Sequence, residues 1–237
     1  MPKQLALLLA AVLTVGLVTA CSPSGEESSQ SQSSSSSQSQ SAETTGSSDY
    51  LFEEGSTLLQ FTKPADDAQI AVVTTSMGEI QIMFFPEQAP KAVENFTTLA
   101  EKGYYNGLRF HRVIDGFMIQ GGDPNGNGMG GPGYCIRGEF SGNGFEKNDL
   151  IHETGVLSMA RAMDPNSAGS QFFIMVAPAP HLDGQYAAFG RVYENVEEAI
   201  RISEVKTDWN DKPKTPVVIK SVRVETFGVE YPEPEKK

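Results

Sequence analysis

The chain has 237 residues, 39% of them hydrophobic, which is enough to bury one sizeable core. Its 30 acidic and 18 basic residues give a formal net charge of -12 at pH 7. A chain this acidic lacks the basic surface that phosphate neutralisation requires, so nucleic-acid partners are excluded, as is attachment to anionic lipid by charge alone.

The first 20 residues have the pattern of a signal peptide. Lys3 precedes an apolar run from Leu5 to Ala20, which is short for a membrane-spanning helix. The run ends in LVTAC (17–21), which resembles the lipobox of bacterial lipoproteins. The resemblance implies cleavage before Cys21, lipid on Cys21, and anchoring to the extracytoplasmic face of a bacterial cell membrane. The alternative is an uncleaved anchor with an incidental cysteine, which also leaves the remaining chain outside the cytoplasm.

Composition divides the rest of the chain. Residues 21–49 follow as a polar tether, since 22–48 contains no aromatic or branched aliphatic residue and cannot bury enough surface to offset its ordering entropy. A disordered chain of about 27 residues has a root-mean-square reach of about 30 Å. Residues 50–67 are a connecting segment whose structure the sequence leaves open. Residues 68–229 are predicted to form the folded domain, and residues 230–237 a C-terminal tail.

The folded part reads as short strands with two helical interruptions. Helical spacing of apolar residues predicts one helix over 90–102 and a second from Val196. Period-two alternation and turn residues predict strands over 69–75, 79–85, 108–114, 117–120, 156–160, 172–176, 188–192 and 217–226. Eight short strands are typical of a closed antiparallel barrel, although the same count fits a sandwich.

A stretch from Phe110 to Gly122 carries polar residues at strand-like spacing. Alternation from Phe110 predicts that Phe110, Arg112 and Ile114 share one face. After the turn at 115–116, Met118 and Gln120 are predicted to join that face. A guanidinium, large apolar groups and an amide on one face indicate a binding surface.

Five sequence motifs identify this region as similar to the cyclophilin family of peptidyl-prolyl cis-trans isomerases. They are FHR (110–112), GFMIQGGD (116–123), LSMA (157–160), GSQFFI (169–174) and LDGQYAAFG (182–190), in the family's order. The resemblance covers 69–229. It implies an all-β fold with two helices, in which a closed eight-stranded antiparallel barrel is capped by two α-helices, and an isomerase that needs neither metal nor cofactor.

The lumen of an eight-stranded barrel is filled by side chains, so a peptide is expected to bind on the outer wall. By resemblance, the catalytic residues are Arg112, Phe117 and Gln120. The resemblance and the polar positions in apolar strands give the substrate-binding residues Met118, Ala160, Arg161, Gln171, Phe173, His181 and Leu182. His181 stands where many family members have tryptophan, and Arg161 where asparagine is usual.

The expected reaction is rotation about an X-Pro amide, whose barrier of about 18 to 20 kcal/mol comes from partial double-bond character. A hydrogen bond to the prolyl nitrogen is stronger in the twisted state, where the lone pair is free. Arg112 suits this role because a guanidinium is always protonated and offers several donors in a fixed fork.

The expected partners are proline-containing unfolded or secreted polypeptides, and the expected state is a monomer. Two other functions are weighed: a proline-peptide binding module in which catalysis is incidental, and a surface chaperone. A GxGxxG pattern at 126–131 is read as a loop and not a dinucleotide site, because Pro132 and Gly133 follow where a helix should begin.

Overall fold

The structure is a computed structural model that describes residues 58–235. The predicted signal peptide, Cys21 and the tether therefore lie outside the described residues, as do 50–57 of the connecting segment. Within 58–235, no helix is both long enough and apolar enough to cross a membrane.

The described chain contains eight strands and two α-helices. The strands are β1 (Ile70–Thr75), β2 (Glu79–Phe84), β3 (Arg112–Ile114), β4 (Met118–Gly121), β5 (Val156–Met159), β6 (Phe172–Met175), β7 (Ala188–Glu194) and β8 (Ile219–Glu225). The helices are α1 (Pro90–Glu101) and α2 (Val196–Ser203). The predicted mostly-β composition with two helices is confirmed, and every predicted element overlaps an observed one.

The strands form one antiparallel sheet in the order β3-β4-β6-β5-β7-β2-β1-β8. Since β3 and β8 are its two ends, the sheet is open, and the predicted closed barrel is wrong. The predicted strand at 108–114 is regular only from Arg112 onwards. Residues before it meet the chain near β8 through one isolated bridge, Arg109 to Val218, and through backbone bonds such as Phe110 N–H to Val217 O at 3.0 Å.

Aromatic rings fill the concave side of the curved sheet beneath α1. Phe96 of α1 lies 5.4 Å from Phe172 and 5.6 Å from Phe189, between ring centroids, and all three are fully buried. Pro90 is suited to the first turn of α1 because it lacks an N–H. The buried carboxylate of Glu139 accepts the N–H groups of Lys91 and Ala92, each at 3.0 Å, which satisfies two donors at the start of the helix.

A second apolar cluster lies on the outer wall of the sheet. It contains Met83, Met118, Phe173 and Met175, with Ile114, Phe117 and Leu182 packed against it. Phe110 does not belong to it, since its ring is buried in the inner cluster. The prediction that Phe110 shares a face with Arg112 is therefore wrong, because strand alternation begins only at Arg112.

The described part of the connecting segment packs against the domain through Gln60, which is fully buried. Its side-chain amide donates to Ile151 O and accepts from Ile151 N–H, both at 2.9 Å. Arg191 Nη1 donates to Gln60 O at 2.6 Å, and the Arg191 guanidinium lies 4.8 Å from the Phe61 ring centroid. One amide that satisfies both backbone groups of Ile151 thus fixes this segment beside the start of β5.

Candidate active site

Antiparallel pairing brings the predicted residues into one row across the outer wall. Arg112 of β3 pairs with Gln120 of β4, and Gln120 pairs with Phe173 of β6. Phe173 pairs in turn with Ser158 of β5. Directly opposed side chains on one face of a sheet lie about 4.5 to 5.5 Å apart at Cβ, so residues far apart in sequence become neighbours here.

A cavity of about 160 Å³ opens beside this row. Its lining consists of Arg112, Phe117, Met118, Gln120, Ala160, Arg161, Phe173, Leu182 and Tyr186. All but Tyr186 are predicted site residues. Pockets for drug-sized ligands reach about 300 Å³ or more, so this volume suits one small apolar ring.

Arg112 stands at the edge of the cavity with a single acidic neighbour. Its Nε lies 3.4 Å from Oδ2 of Asp211, and the two side chains are 44% and 43% exposed. Among residues 58–235 this is the one polar contact of the Arg112 side chain. Exposed pairs of this kind hold a side chain weakly, so the guanidinium is oriented but remains accessible to a ligand.

Gln120 and Gln171 are joined by a hydrogen bond whose direction the structure settles. Gln171 Nε2 donates to the carbonyls of Gly128 and Gly130, at 3.0 and 2.8 Å. Its Oε1 therefore accepts from Gln120 Nε2, at 3.0 Å. Since Gln120 uses its amide nitrogen, its Oε1 is left to accept a hydrogen bond from a peptide. Gln171 acts as a support and does not line the Arg112 cavity.

A larger cavity of about 320 Å³ adjoins the first. It shares Gln120, Ala160 and Arg161 with the first and adds Gln171, Cys135 and the glycine-rich loop 128–131. The GxGxxG pattern lies in this loop, as predicted. Arg161, the arginine of the larger cavity, donates to the backbone carbonyls of Ala162 and Gln185, whereas Arg112 lines the smaller cavity, so we place the chemistry in the smaller cavity.

The carboxylate of Asp123 shapes the glycine-rich loop. It accepts backbone N–H groups from Asn125, Asn127 and Gly128. Burial raises the pKa of Asp123, but the three N–H bonds outweigh it, so the pKa lies below its ordinary value. Gly122 precedes it at φ +84, where a Cβ would lie 2.2 Å from Ser170 O, which explains the second glycine of the QGG motif.

The remaining predicted residues have less direct roles: Ala160 and Arg161 line both cavities, and His181 lies beside the smaller one. The His181 ring lies 6.0 Å from the Phe117 ring at 24°, so it stacks on the wall of the smaller cavity without lining it. Arg161 Nε and Nη2 donate to Gln185 O at 3.1 and 2.9 Å, and its guanidinium lies 4.6 Å from the Tyr186 ring centroid. Ala160 N–H donates to Gln171 O, so it is not available to substrate.

The sequence marks Tyr186 as a departure from the family pattern but did not place it among the predicted site residues, and it did not predict the larger cavity. Tyr186 stands in the LDGQYAAFG motif at a position where the family often has histidine, so its place in the pattern was the available signal. The larger cavity is built from loops, whose path no period in the sequence reveals.

The family model for cyclophilin type peptidyl-prolyl cis-trans isomerases matches residues 70–224. The peptidyl-prolyl cis-trans isomerase ppi1 of Schizosaccharomyces pombe is 46% identical over 153 residues, which are 62% of this chain and 94% of that protein. A peptidyl-prolyl cis-trans isomerase-like 1 of Neurospora crassa is 46% identical over 158 residues, 64% of this chain and 91% of that protein.

A solved structure shows the same fold. The crystal structure of a Cryptosporidium parvum cyclophilin type peptidyl-prolyl cis-trans isomerase, in the presence of the dipeptide Ala-Pro, superposes with a TM-score of 0.60. It is 35% identical, and the match covers 66% of this chain and 98% of that one. With the motifs, the outer-wall site and these relatives in agreement, the chain belongs to the cyclophilin family of peptidyl-prolyl cis-trans isomerases.

Proposed function

We propose that the protein isomerises X-Pro bonds by donating a hydrogen bond from Arg112 to the prolyl nitrogen as the amide twists. The observation that carries this proposal is the accessible guanidinium at the edge of an apolar cavity. A planar amide shares its nitrogen lone pair with the carbonyl, whereas a twisted amide offers it to a donor. The bond therefore forms in the transition state and not in the ground state, as catalysis requires.

The magnitude of this effect is limited. A hydrogen bond from a charged group contributes about 1.5 to 3 kcal/mol, and about 1.4 kcal/mol corresponds to one decade of rate. Arg112 thus accounts for one to two decades. The remaining rate enhancement comes from holding the proline ring in the cavity while the preceding segment rotates. The ring would lie between Phe117, Met118, Phe173 and Leu182.

Gln120 completes the site as the acceptor for the substrate backbone. Its Oε1 is free to accept a peptide N–H because Gln171 holds its amide nitrogen. The adjoining cavity of about 320 Å³ then receives the residues that precede the proline. This arrangement fits an extended polypeptide, and the Ala-Pro dipeptide named for the Cryptosporidium parvum structure supports a proline ligand for the family.

Exchange spectroscopy on an X-Pro tetrapeptide tests the role of Arg112. Arg112→Ala is expected to lower kcat/KM by about 10- to 100-fold, and Arg112→Lys to recover little of it, because an ammonium does not reproduce the planar fork. Arg223→Ala, which removes an exposed arginine of β8, is the matched control. Turnover near that of the control in both Arg112 variants would remove Arg112 from the mechanism. Peptide binding without enhanced exchange in the wild type would indicate a binding module.

We further propose that the protein is a lipoprotein held at the extracytoplasmic face of a bacterial membrane by lipid on Cys21, where it acts on unfolded or exported polypeptides. The support is the LVTAC sequence at 17–21 after an apolar run and before a polar tether. The family match at 70–224 does not extend to this region. The full chain should fractionate with membranes and yield a lipid-modified Cys21 at its N-terminus by mass spectrometry, and Cys21→Ser should carry no lipid and keep the apolar run that precedes it. An unmodified Cys21 in a membrane-bound protein would favour an uncleaved anchor.

A further inference from the structure

His152 is a fully buried side chain behind the smaller cavity, and the mechanism above does not use it. Its Nδ1 lies 2.9 Å from Asp183 Oδ1, and its backbone N–H donates to the same oxygen at 2.7 Å. Its Nε2 lies 3.1 Å from Ser158 Oγ. The side chain is 0% exposed, and Asp183 is 30% exposed. One imidazole therefore connects β5 to the residue that follows the short 3-10 helix Pro180–Leu182.

The hydrogen bonds fix the state of the ring. A carboxylate accepts but does not donate, so Nδ1 carries the hydrogen, and in the neutral ring Nε2 accepts from the Ser158 hydroxyl. Burial lowers the pKa of His152, while Asp183 acts in the opposite direction, and the net pKa lies below the ordinary value. The ring is therefore neutral near pH 7, with all of its polar atoms satisfied.

The same ring supports the aromatic wall of the cavity. It stacks on Phe173 at 6.0 Å and 19°, and meets Tyr186 edge-on at 6.5 Å and 80°. Phe173 and Tyr186 in turn meet at 5.8 Å and 83°. Both of these rings line the cavity, so His152 packs behind them as a third ring.

The arrangement of Asp183, His152 and Ser158 is similar to that of a serine hydrolase triad, but its chemistry is different. Ser158 is 0% exposed within β5, so no acyl group can reach its oxygen. Asp183 follows directly after Leu182, which forms another side of the cavity. Asp183, His152 and Ser158 thus connect the Phe173 and Tyr186 rings with Leu182 on another side of the cavity, and none of the three lines the cavity itself.

We propose that His152 is a positioning residue for proline binding, which holds Phe173 and Tyr186 with its ring and the Leu182 wall through Asp183. This inference rests on the isomerase function of the Arg112 cavity and deepens it. A preformed pocket binds the proline ring without first ordering three side chains, so loss of the connection weakens substrate binding. A role in folding alone would reduce the amount of active protein and leave KM unchanged.

Two variants separate the hydrogen bonds from the ring. His152→Phe keeps a ring behind Phe173 and loses the side-chain bonds to Asp183 and Ser158, while the backbone N–H bond to Asp183 remains. Asp183→Ala removes the acceptor from a partly exposed position, so it tests the connection if His152→Phe does not fold. Asp183→Asn keeps an oxygen that can accept both N–H groups. Asp149→Ala, which removes an exposed carboxylate three residues before His152, is the control.

Steady-state exchange measurements on an X-Pro tetrapeptide, well below each Tm, decide the question. We expect KM to rise at least about threefold in His152→Phe and Asp183→Ala, and to stay within about twofold of wild type in Asp183→Asn and the control. The ring resonances of Phe173 and Tyr186 should shift in the first two variants only. An unchanged KM in both, with the folded fraction matched, would overturn the positioning role. An inactive wild type would instead overturn the isomerase assignment.

Discussion

Phe172 and Phe173 are adjacent in β6 but belong to different regions of the molecule. Phe172 is 0% exposed in the inner cluster, 5.4 Å from the Phe96 ring and 5.6 Å from the Tyr105 ring. Phe173 is 6% exposed on the outer wall, where it lines the smaller cavity. Because side chains alternate along a strand, one face of β6 packs in the inner cluster and the other lines the cavity proposed to bind substrate.

The largest effect is expected for Phe172→Ala. Truncation of a fully enclosed phenylalanine loses its transfer free energy and leaves a void, at a cost of about 3 to 5 kcal/mol. Since a domain of this kind has a total stability of about 5 to 15 kcal/mol, much of it is lost. Urea unfolding followed by near-UV circular dichroism measures the change. A loss below about 1 kcal/mol would show that the inner cluster repacks around the gap.

Phe173→Ala is expected to affect binding more than stability. The space it leaves joins an open cavity that water can enter, so the void contributes less to the free energy of unfolding than in Phe172→Ala. KM for an X-Pro peptide should rise about tenfold, which corresponds to about 1.4 kcal/mol of lost packing on the proline ring. Equal destabilisation of the two variants, with an unchanged KM for Phe173→Ala, would contradict the division of the strand into two faces.

Sequence reasoning succeeded where local periodicity carried the information. Strand spacing placed Arg112 and Gln120 on one face, the family resemblance added Phe173, and the sheet register makes the three residues neighbours. Both helices were predicted for the same reason, since α1 and α2 each place apolar residues at helical spacing. The site is predictable to this extent because it is built on regular elements.

The failures concern contacts that no local pattern encodes. Phe110 was assigned to the outer wall because alternation was extended two residues before the point where β3 begins. The sheet was predicted closed because strand counting does not show that β3 and β8 do not pair as strands. In residues 58–235 the chain near them is joined by an isolated bridge and by individual backbone hydrogen bonds. The pairing of His152 with Asp183 spans 31 residues and ends in a loop, so only the fold brings the two together.

A smaller effect is expected from Gln171, which lies on the outer face just before Phe172. Gln171→Ala removes two hydrogen bonds to the loop carbonyls of Gly128 and Gly130 and one from Gln120. A net contribution of about 1 kcal/mol predicts a fall of about fivefold in kcat/KM. Gln171→Glu can still accept from Gln120 but cannot donate to the loop, so it should also lower kcat/KM. Activity equal to wild type in Gln171→Glu would show that the loop needs no support from this side chain.

The smallest effect is expected on the free energy of unfolding at acid pH. It depends on two buried histidines, His111 and His152. Burial is the main cause that lowers the pKa of His111, near Arg112, and of His152, behind the outer wall. At His111, the charge of Asp123 raises the pKa, while Arg112 and Lys212 lower it further. At His152, Asp183 raises the pKa and His181 lowers it further. The Tyr186 ring packs edge-on against the His152 ring.

The sign of the effect follows from the direction of both pKa changes. An unfolded histidine has a pKa of about 6.5, so the unfolded chain binds protons first as the pH falls below that value. The free energy of unfolding should therefore decrease as the pH falls from about 6.5 towards the lower folded pKa. Urea midpoints at about pH 7.5 and about pH 5.5 measure this decrease.

Both ring nitrogens of His111 are buried without a hydrogen-bond partner in residues 58–235. His111→Leu should reduce the difference between the two midpoints because one proton-binding site disappears from the unfolded state. An undiminished difference in this variant would assign the acid sensitivity to His152 and the outer wall.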